Sequence, residues 1–387
     1  MQGSRSWDVF CRVVDNFGDA AVCWRLAQRL VAGNHAATRL WIDNLTALHA
    51  LRPEIAIDQS KQSLAGVEIC HWTADADCGT PADIVVDAFG CGLPDEYAQA
   101  MAARSPKSLW VVLEYLSAEP WVASHHGLPS PHPCLAVDRY FFFPGFGPAT
   151  GGLPREPDLA RRREEYLRHP AMREALWREA GFSLPDREAM QITLFGYENP
   201  AVAELLDAWA AGAAPVVVAV PRSRVSRHVA TFFGAADPAN GKALRRGGLE
   251  ARFLPFLSQD RYDELLWGAD WNFVRGEDSF VRAQWAERPF VWHVYPQAQG
   301  AHFAKLDAFL DLYCTGLPDA LTGPLRRLWR GWNDPARVGS GDLAGAWAEL
   351  SGHGPDLCEH AHHWALKTAA AGDLAANLVK FCESRLK

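Results

Sequence analysis

The chain has 387 residues, 49% of them hydrophobic and 22% charged, with 16 Trp and 19 Phe, which supplies apolar surface for two cores and excludes a largely disordered protein. A formal charge of −8 excludes a general nucleic-acid surface, because phosphate contacts need clustered Lys and Arg. No apolar run approaches the length of a bilayer span, and residues 1–8 carry no signal pattern, so a soluble, cytoplasmic protein with no membrane partner is expected.

In chain order, residues 7–14 form a β-prone run that Asp15-Asn16-Phe17-Gly18 breaks. Residues 19–30 then repeat apolar side chains at Val22, Leu26 and Leu30, a helical period. Strand, tight turn and helix open a doubly wound α/β domain. Further β-type runs at 38–42, 67–72, 84–88 and 108–113, with a helix over 95–104, predict a parallel sheet. The Gly- and Pro-dense stretch 145–154 marks a domain boundary, and its Gly145-x-Gly147 pair, cut by Pro148, reads as linker.

One charged helix is predicted over 159–180. A second strand-helix series follows, with strands at 190–197, 216–220, 249–254, 271–274 and 290–293 between helices at 201–210, 260–267 and 279–286. From 318 onward the pattern is helical. The predicted layout is an N-terminal Rossmann-like domain over 1–153, a linker helix over 154–180, and a C-terminal Rossmann-like domain with C-terminal helices over 181–387. Two facing α/β domains with ligands at the carboxyl ends of their strands, in an interdomain cleft, are the GT-B glycosyltransferase layout. Two-lobed ligand sensors share it in outline, so the site residues must decide.

Asp15 and Asp19 stand four residues apart where the first strand gives way to the first helix. Asp and Asn are common helix caps, and that alone accounts for one of them. Two carboxylates at a strand's carboxyl end also suit a general base with a helper. Arg275-Gly276-Glu277-Asp278-Ser279-Phe280 again joins an apolar strand to a helix. Capping explains part of it, and a diphosphate site explains the rest, since helix N-terminal amides and the Ser279 hydroxyl favour an anion. Phe256 and Gln259 offer the aromatic face and amide that hold a nucleobase, or simply pack. Tyr197 and Tyr295 end strands or begin loops, where a phenol can donate to phosphate or simply pack.

Asp75-Ala-Asp77 lies in a polar turn and is not read as a metal motif, and Cys358-Glu-His360-Ala-His362-His363 lacks a complete ligand set. The nine cysteines, without C-x-x-C spacing, read as reduced core residues. Residues 1–150 hold 16 acidic against 10 basic side chains, so a cationic acceptor would be drawn to the first half.

Asp15-Asn-Phe-Gly-Asp19 with Cys23-Trp24-Arg25-Leu26, Phe195-Gly196-Tyr197-Glu198, Phe253-Leu-Pro-Phe256 with Gln259, Arg275-Gly-Glu-Asp-Ser279-Phe280 and Trp292-His-Val-Tyr295-Pro-Gln297 together resemble the elongation factor P arginine rhamnosyltransferase family. That resemblance implies an inverting transfer of L-rhamnose from dTDP-β-L-rhamnose to an arginine side chain of translation elongation factor P, with no metal and no cofactor. It places the donor in the second domain, with Phe256 near thymine, Gln259 and Phe195 nearby, Tyr197, Asp278 and Ser279 on ribose or diphosphate, and Arg275 and Tyr295 in support. The acceptor falls to the first domain, at Asn16, Phe17, Gly18 and Asp19. A guanidinium holds its proton until a base withdraws it, and Asp19 is the chosen base, with Asp15 and Glu277 aligning charge. The alternatives are a GT-B enzyme with another nucleotide sugar or acceptor, and a non-catalytic two-lobed sensor.

Overall fold

Strand β1 (Ser6–Cys11) is buried from Trp7 to its end, the pattern of a central strand covered on both faces. In the computed structural model, which describes residues 5–15, 17–33, 37–236, 239–334 and 341–386, its parallel neighbours are β2 (Ala37–Ile42) and β5 (Ile84–Ala88). With β3 (Lys61–Leu64), β4 (Val67–His71), β6 (Leu109–Leu113) and β7 (Asp138–Phe142), a seven-stranded sheet forms in the order β3-β4-β2-β1-β5-β6-β7. Helices α1 (Gly18–Ala32), α2 (Leu45–Leu51), α3 (Asp95–Ala103) and α4 (Trp121–His125) lie between the strands in sequence. Phe10, Trp41, Trp72, Tyr97 and Trp110 belong to one apolar cluster of this unit. Within it Asp8 is fully buried and held by Arg39 at 2.5 and 2.6 Å, Trp41 Nε1 at 3.3 Å, the Ala82 amide at 3.2 Å and the Tyr97 hydroxyl. A carboxylate so deep must have its lone pairs satisfied, and these donors satisfy them.

The second unit repeats the plan. Its strands β8 (Met190–Leu194), β9 (Val216–Pro221), β10 (Lys242–Arg246), β11 (Leu249–Leu254), β12 (Trp271–Arg275) and β13 (Phe290–His293) are ordered β10-β11-β9-β8-β12-β13. Helices α5 (Leu159–Arg168), α6 (Pro170–Glu179), α7 (Val202–Ala211), α8 (Val225–Phe232), α9 (Gln259–Gly268) and α10 (Asp278–Trp285) alternate with them, and α11 (His302–Tyr313), α12 (Asp319–Asn333), α13 (Asp342–Ser351) and α14 (Gly354–Ala369) follow. Phe273 at the centre of β12 packs against Trp209 and Trp332, with ring centroids 5.8 and 4.9 Å away. Strand order reverses between β1 and β5 in the first sheet and between β8 and β12 in the second. Those switch points are where open α/β sheets leave a crevice for ligands.

Both sheets are parallel except at one edge, where β3 with β4 and β10 with β11 form antiparallel hairpins that the sequence reading left out. Strand β1 ends at Cys11, short of the expected residue 14. The amide of Val13 donates to Asp43 Oδ1 at 2.9 Å and that of Val14 to Asp19 Oδ2 at 2.8 Å, so side chains replace the ladder. The helix expected over 159–180 is two helices, because Pro170 forces His169 into extended backbone at φ −111°, ψ 97°. Nor is that segment a linker: Arg162 pairs with Asp260 at 2.7 Å and Tyr166 packs edge-on to Trp267 at 5.7 Å.

The compact units are Met1–Glu156 with Lys367–Lys387, and Pro157–Leu366. Helix α15 (Leu374–Arg385), expected with the second domain, therefore belongs to the first. The Leu374 amide donates to the Leu153 carbonyl at 3.1 Å, Asn377 Nδ2 to the Gly151 carbonyl at 3.0 Å, and the Phe381 ring packs 5.5 Å from Phe142 and 5.8 Å from Tyr140. The segment 145–154, expected as linker, is thereby part of a packed unit. Among the described residues no helix is long and apolar enough to cross a membrane.

Candidate active site

In the first unit the chain leaves β1 at the switch point and turns into α1 through Asp15–Asp19. Asn16 lies outside the described residues. Phe17 occupies the N-cap of α1 with no side-chain cap, so helix capping does not account for the two aspartates. Asp19 instead reaches backward: its Oδ2 accepts from the amides of Val14 at 2.8 Å and Asp15 at 2.9 Å, closing the loop on itself. The Gly18 amide donates to the Asp15 carbonyl at 2.7 Å, and a Cβ at Gly18 would stand 2.9 Å from Asp15 Oδ2, so only glycine lets the Asp15 carboxylate lie there.

Asp15 and Asp19 are both buried. Burial raises the carboxyl pKa of Asp19, and the nearby charge of Asp15 adds to the rise. The two backbone amides and a hydrogen bond from Tyr115 oppose it. The outcome is a carboxylate held in place yet more basic than an exposed aspartate, which suits a proton acceptor.

In the second unit the loops after β8 and β12 meet at the other switch point. Arg275 lies between two aromatic faces, its guanidinium 4.8 Å from the Phe195 ring centre and 4.7 Å from that of Tyr197. Two such contacts fix a planar cation and leave its edge for hydrogen bonds. Tyr197 also packs edge-on against Tyr295 at 5.6 Å and His293 at 5.2 Å. His293 is buried beside Arg275 and His302, and burial with those neighbours pulls its pKa down to about 3, so its imidazole is neutral.

Gly276, at φ +63°, turns the chain from β12 into α10 and is tied down by its own amide to the His293 carbonyl at 3.1 Å and by Trp292 Nε1 to its carbonyl at 2.7 Å. Glu277 takes the N-cap of α10, with no side-chain cap. The Ser279 hydroxyl accepts from the Arg275 amide at 3.1 Å and donates to the Arg275 carbonyl. The hydroxyl, expected from the sequence as a donor to an anion, lies in this structure against the loop that carries Arg275.

Asp278 is held by Arg282 Nε at 2.7 Å and by Gln259 Nε2 at 3.5 Å. Gln259 opens α9, whose N-cap Ser258 accepts from the Arg261 amide, and Phe256 is half-buried in the loop before it. The second unit thus gathers Phe195, Tyr197, Gln259, Arg275, Asp278, Ser279 and Tyr295 into one network, with Phe256 and Glu277 in the adjoining loops. The first unit gathers Asp15, Phe17, Gly18 and Asp19. Sequence reasoning missed Tyr115, His293 and the Asp263–Arg282 pair. Only Arg282 left a signal, its i+4 spacing from Asp278 on a helix. Among the described residues no group of three or more His, Cys, Asp or Glu is placed to hold a metal ion.

The family model described as elongation factor P (EF-P) rhamnosyltransferase EarP matches residues 7–383. The protein-arginine rhamnosyltransferase of Pseudomonas putida is 45% identical over 381 residues, covering 98% of this chain and 99% of the relative, and that of Pseudomonas aeruginosa is 44% identical over 376 residues, covering 97% and 98%. A solved structure of EarP-mediated arginine glycosylation of elongation factor EF-P superposes with a TM-score of 0.68 at 33% identity, covering 98% of this chain and 99% of that one. The spinosyn rhamnosyltransferase SpnG shares the fold, with a TM-score of 0.53 at 13% identity over 98% of this chain and all of that one. A non-catalytic sensor is thereby ruled out. With two doubly wound units of GT-B type and a match from the first strand to the last helix, the chain belongs to the EarP family and is a protein-arginine rhamnosyltransferase.

Proposed function

We propose that this enzyme transfers L-rhamnose from dTDP-β-L-rhamnose to an arginine of translation elongation factor P, with inversion, in the cytoplasm and without a metal ion. The observation that carries the chemistry is Asp19: a buried carboxylate, raised in pKa and anchored by two backbone amides at a switch point. Its family membership supplies the acceptor class, an arginine, whose guanidinium needs such a base.

In this reading a guanidinium nitrogen attacks C1 of the sugar while the bond from C1 to the diphosphate oxygen breaks. The departing dTDP takes the electron pair, the proton from nitrogen goes to Asp19, and the product guanidinium keeps a single positive charge. Attack opposite the leaving group turns the β-donor into an α-linked product. Arg275, held between Phe195 and Tyr197, supplies positive potential to the diphosphate together with the amides at the start of α10, which is the service a divalent cation performs elsewhere. Phe256 and Gln259 take the thymine, and Asp15 and Glu277 align the acceptor fork.

The experiment is mass spectrometry of elongation factor P incubated with the enzyme and dTDP-L-rhamnose in EDTA. Gain of one deoxyhexose on arginine is the expected result. No gain in EDTA with gain restored by Mg²⁺ would overturn the metal-free reading, and gain only with another nucleotide sugar would overturn the donor.

A further inference from the structure

Strands β1, β5 and β6 are adjacent in the first sheet, and Asp19, Phe89 and Tyr115 follow them in the chain. β1 leads through a short loop into α1, whose first turn carries Asp19. β5 is followed by Phe89, a non-glycine residue in the left-handed region at φ +60°. β6 is followed by Glu114 and Tyr115. The Phe89 amide donates to the Leu113 carbonyl at 2.5 Å, so the two loops are joined at their roots. The rings of Phe89 and Tyr115 lie stacked, 4.3 Å between centroids and 15° between planes, and the Tyr115 hydroxyl hydrogen-bonds the Asp19 carboxylate.

A bulky residue adopts positive φ only where its surroundings over-determine it, and such positions gather at functional sites. Here the unusual backbone of Phe89 delivers its ring flat against Tyr115. Tyrosine has two side-chain torsions, and a stacked face removes freedom from both. The hydroxyl is therefore aimed, and its target is a carboxylate whose Oδ2 already accepts two backbone amides. A third donor on a buried carboxylate sets which lone pair remains for an incoming guanidinium and biases the group toward its charged form.

We propose that Tyr115, held by Phe89, is a positioning residue for the rhamnosyl transfer: its O–H donates to Asp19 and fixes the rotamer and charge state of that carboxylate. The inference rests on the reading of Asp19 as the base. Tyr115→Phe keeps the ring and the stack and removes only the hydroxyl. Phe89→Ala keeps the hydroxyl and removes the stack.

Single-turnover transfer is measured against pH for both variants, with melting temperature and dTDP affinity as controls. The Tyr115→Phe carboxylate, missing one donor, stays protonated to higher pH, so the acid limb of its profile moves up by about one pH unit and the plateau rate falls about tenfold. Phe89→Ala shifts the limb the same way by less, and Phe89→Tyr, which restores a stacking face, returns it toward wild type. Dead Asp19→Asn with a Tyr115→Phe profile that superposes on wild type would overturn this inference and leave the base in place. An Asp19→Asn enzyme that transfers at the wild-type rate would overturn the base, and this inference with it.

Discussion

Arg282 Nη1 lies 2.9 and 2.8 Å from the two carboxylate oxygens of Asp263, both side chains almost wholly buried. The same guanidinium reaches Asp278 through Nε at 2.7 Å, so one cation neutralises two aspartates on α9 and α10. Removing it takes the closest cation from both, leaving Arg162 Nη2 at 4.0 Å from Asp263 and Gln259 Nε2 at 3.5 Å from Asp278. Arg282→Met is expected to lower unfolding free energy by about 3–5 kcal/mol and to weaken dTDP binding through a displaced Asp278. Chemical denaturation and calorimetry read the two effects separately, and Arg282→Lys, a point charge without the fork, falls between.

Asp19→Asn retains a carbonyl oxygen that can accept from the amides of Val14 and Asp15, so the loop stays closed. What it loses is the capacity to take a proton. Donor affinity and melting temperature are expected near wild type, while single-turnover transfer falls by about 100- to 10,000-fold.

Phe256→Ala removes a stacking face and is expected to cost about 1–3 kcal/mol of dTDP affinity. Ser279→Ala removes the brace on both the amide and carbonyl of Arg275. Its expected cost is about 1 kcal/mol, visible as weaker dTDP binding with unaltered thymidine binding. Equal losses for dTDP and thymidine would place Ser279 with the base rather than the phosphates.

His293 gives a pH dependence with a definite sign. Its folded pKa, about 3, lies below the unfolded value of about 6.5. Between those limits the unfolded chain binds the proton and the folded one does not, so stability is full above about pH 6.5 and declines as pH falls toward 3. His293→Phe, which keeps a ring against Tyr197 and Trp332, flattens that acid side of the stability curve. Melting temperature against pH for both proteins measures it.

The α/β class, the two strand-helix series and the closeness of Asp15 to Asp19 were legible because each rests on local pattern: an apolar run, a Gly-bearing turn, then a helical period. The meeting of Arg275 with Tyr197 spans two strands and was implied only by the family resemblance. The edge hairpins escaped because a strand such as Lys61–Leu64, half-exposed and polar, carries no period that distinguishes it from a loop. The contact of the Ser279 hydroxyl with the Arg275 backbone was not legible, since it depends on the turn at Gly276. Tyr115 and Phe89 were invisible for another reason. Phe89 meets Tyr115, and Tyr115 meets Asp19, across three strands far apart in the chain, and nothing in either residue's neighbours announces it.

The return of α15 to the first unit has a consequence for biosynthesis. The chain emerges from the ribosome N-terminus first, and domains generally fold as they appear. The first unit cannot follow that order, because Leu374, Asn377 and Phe381, which bind Leu153, Gly151 and Phe142, are made only after the whole second unit. Until α15 has emerged, the half that bears Asp19 has an uncovered apolar face at Tyr140 and Phe142. The first unit is completed by α15, and a message truncated just before it yields a finished second unit joined to an unfinished first.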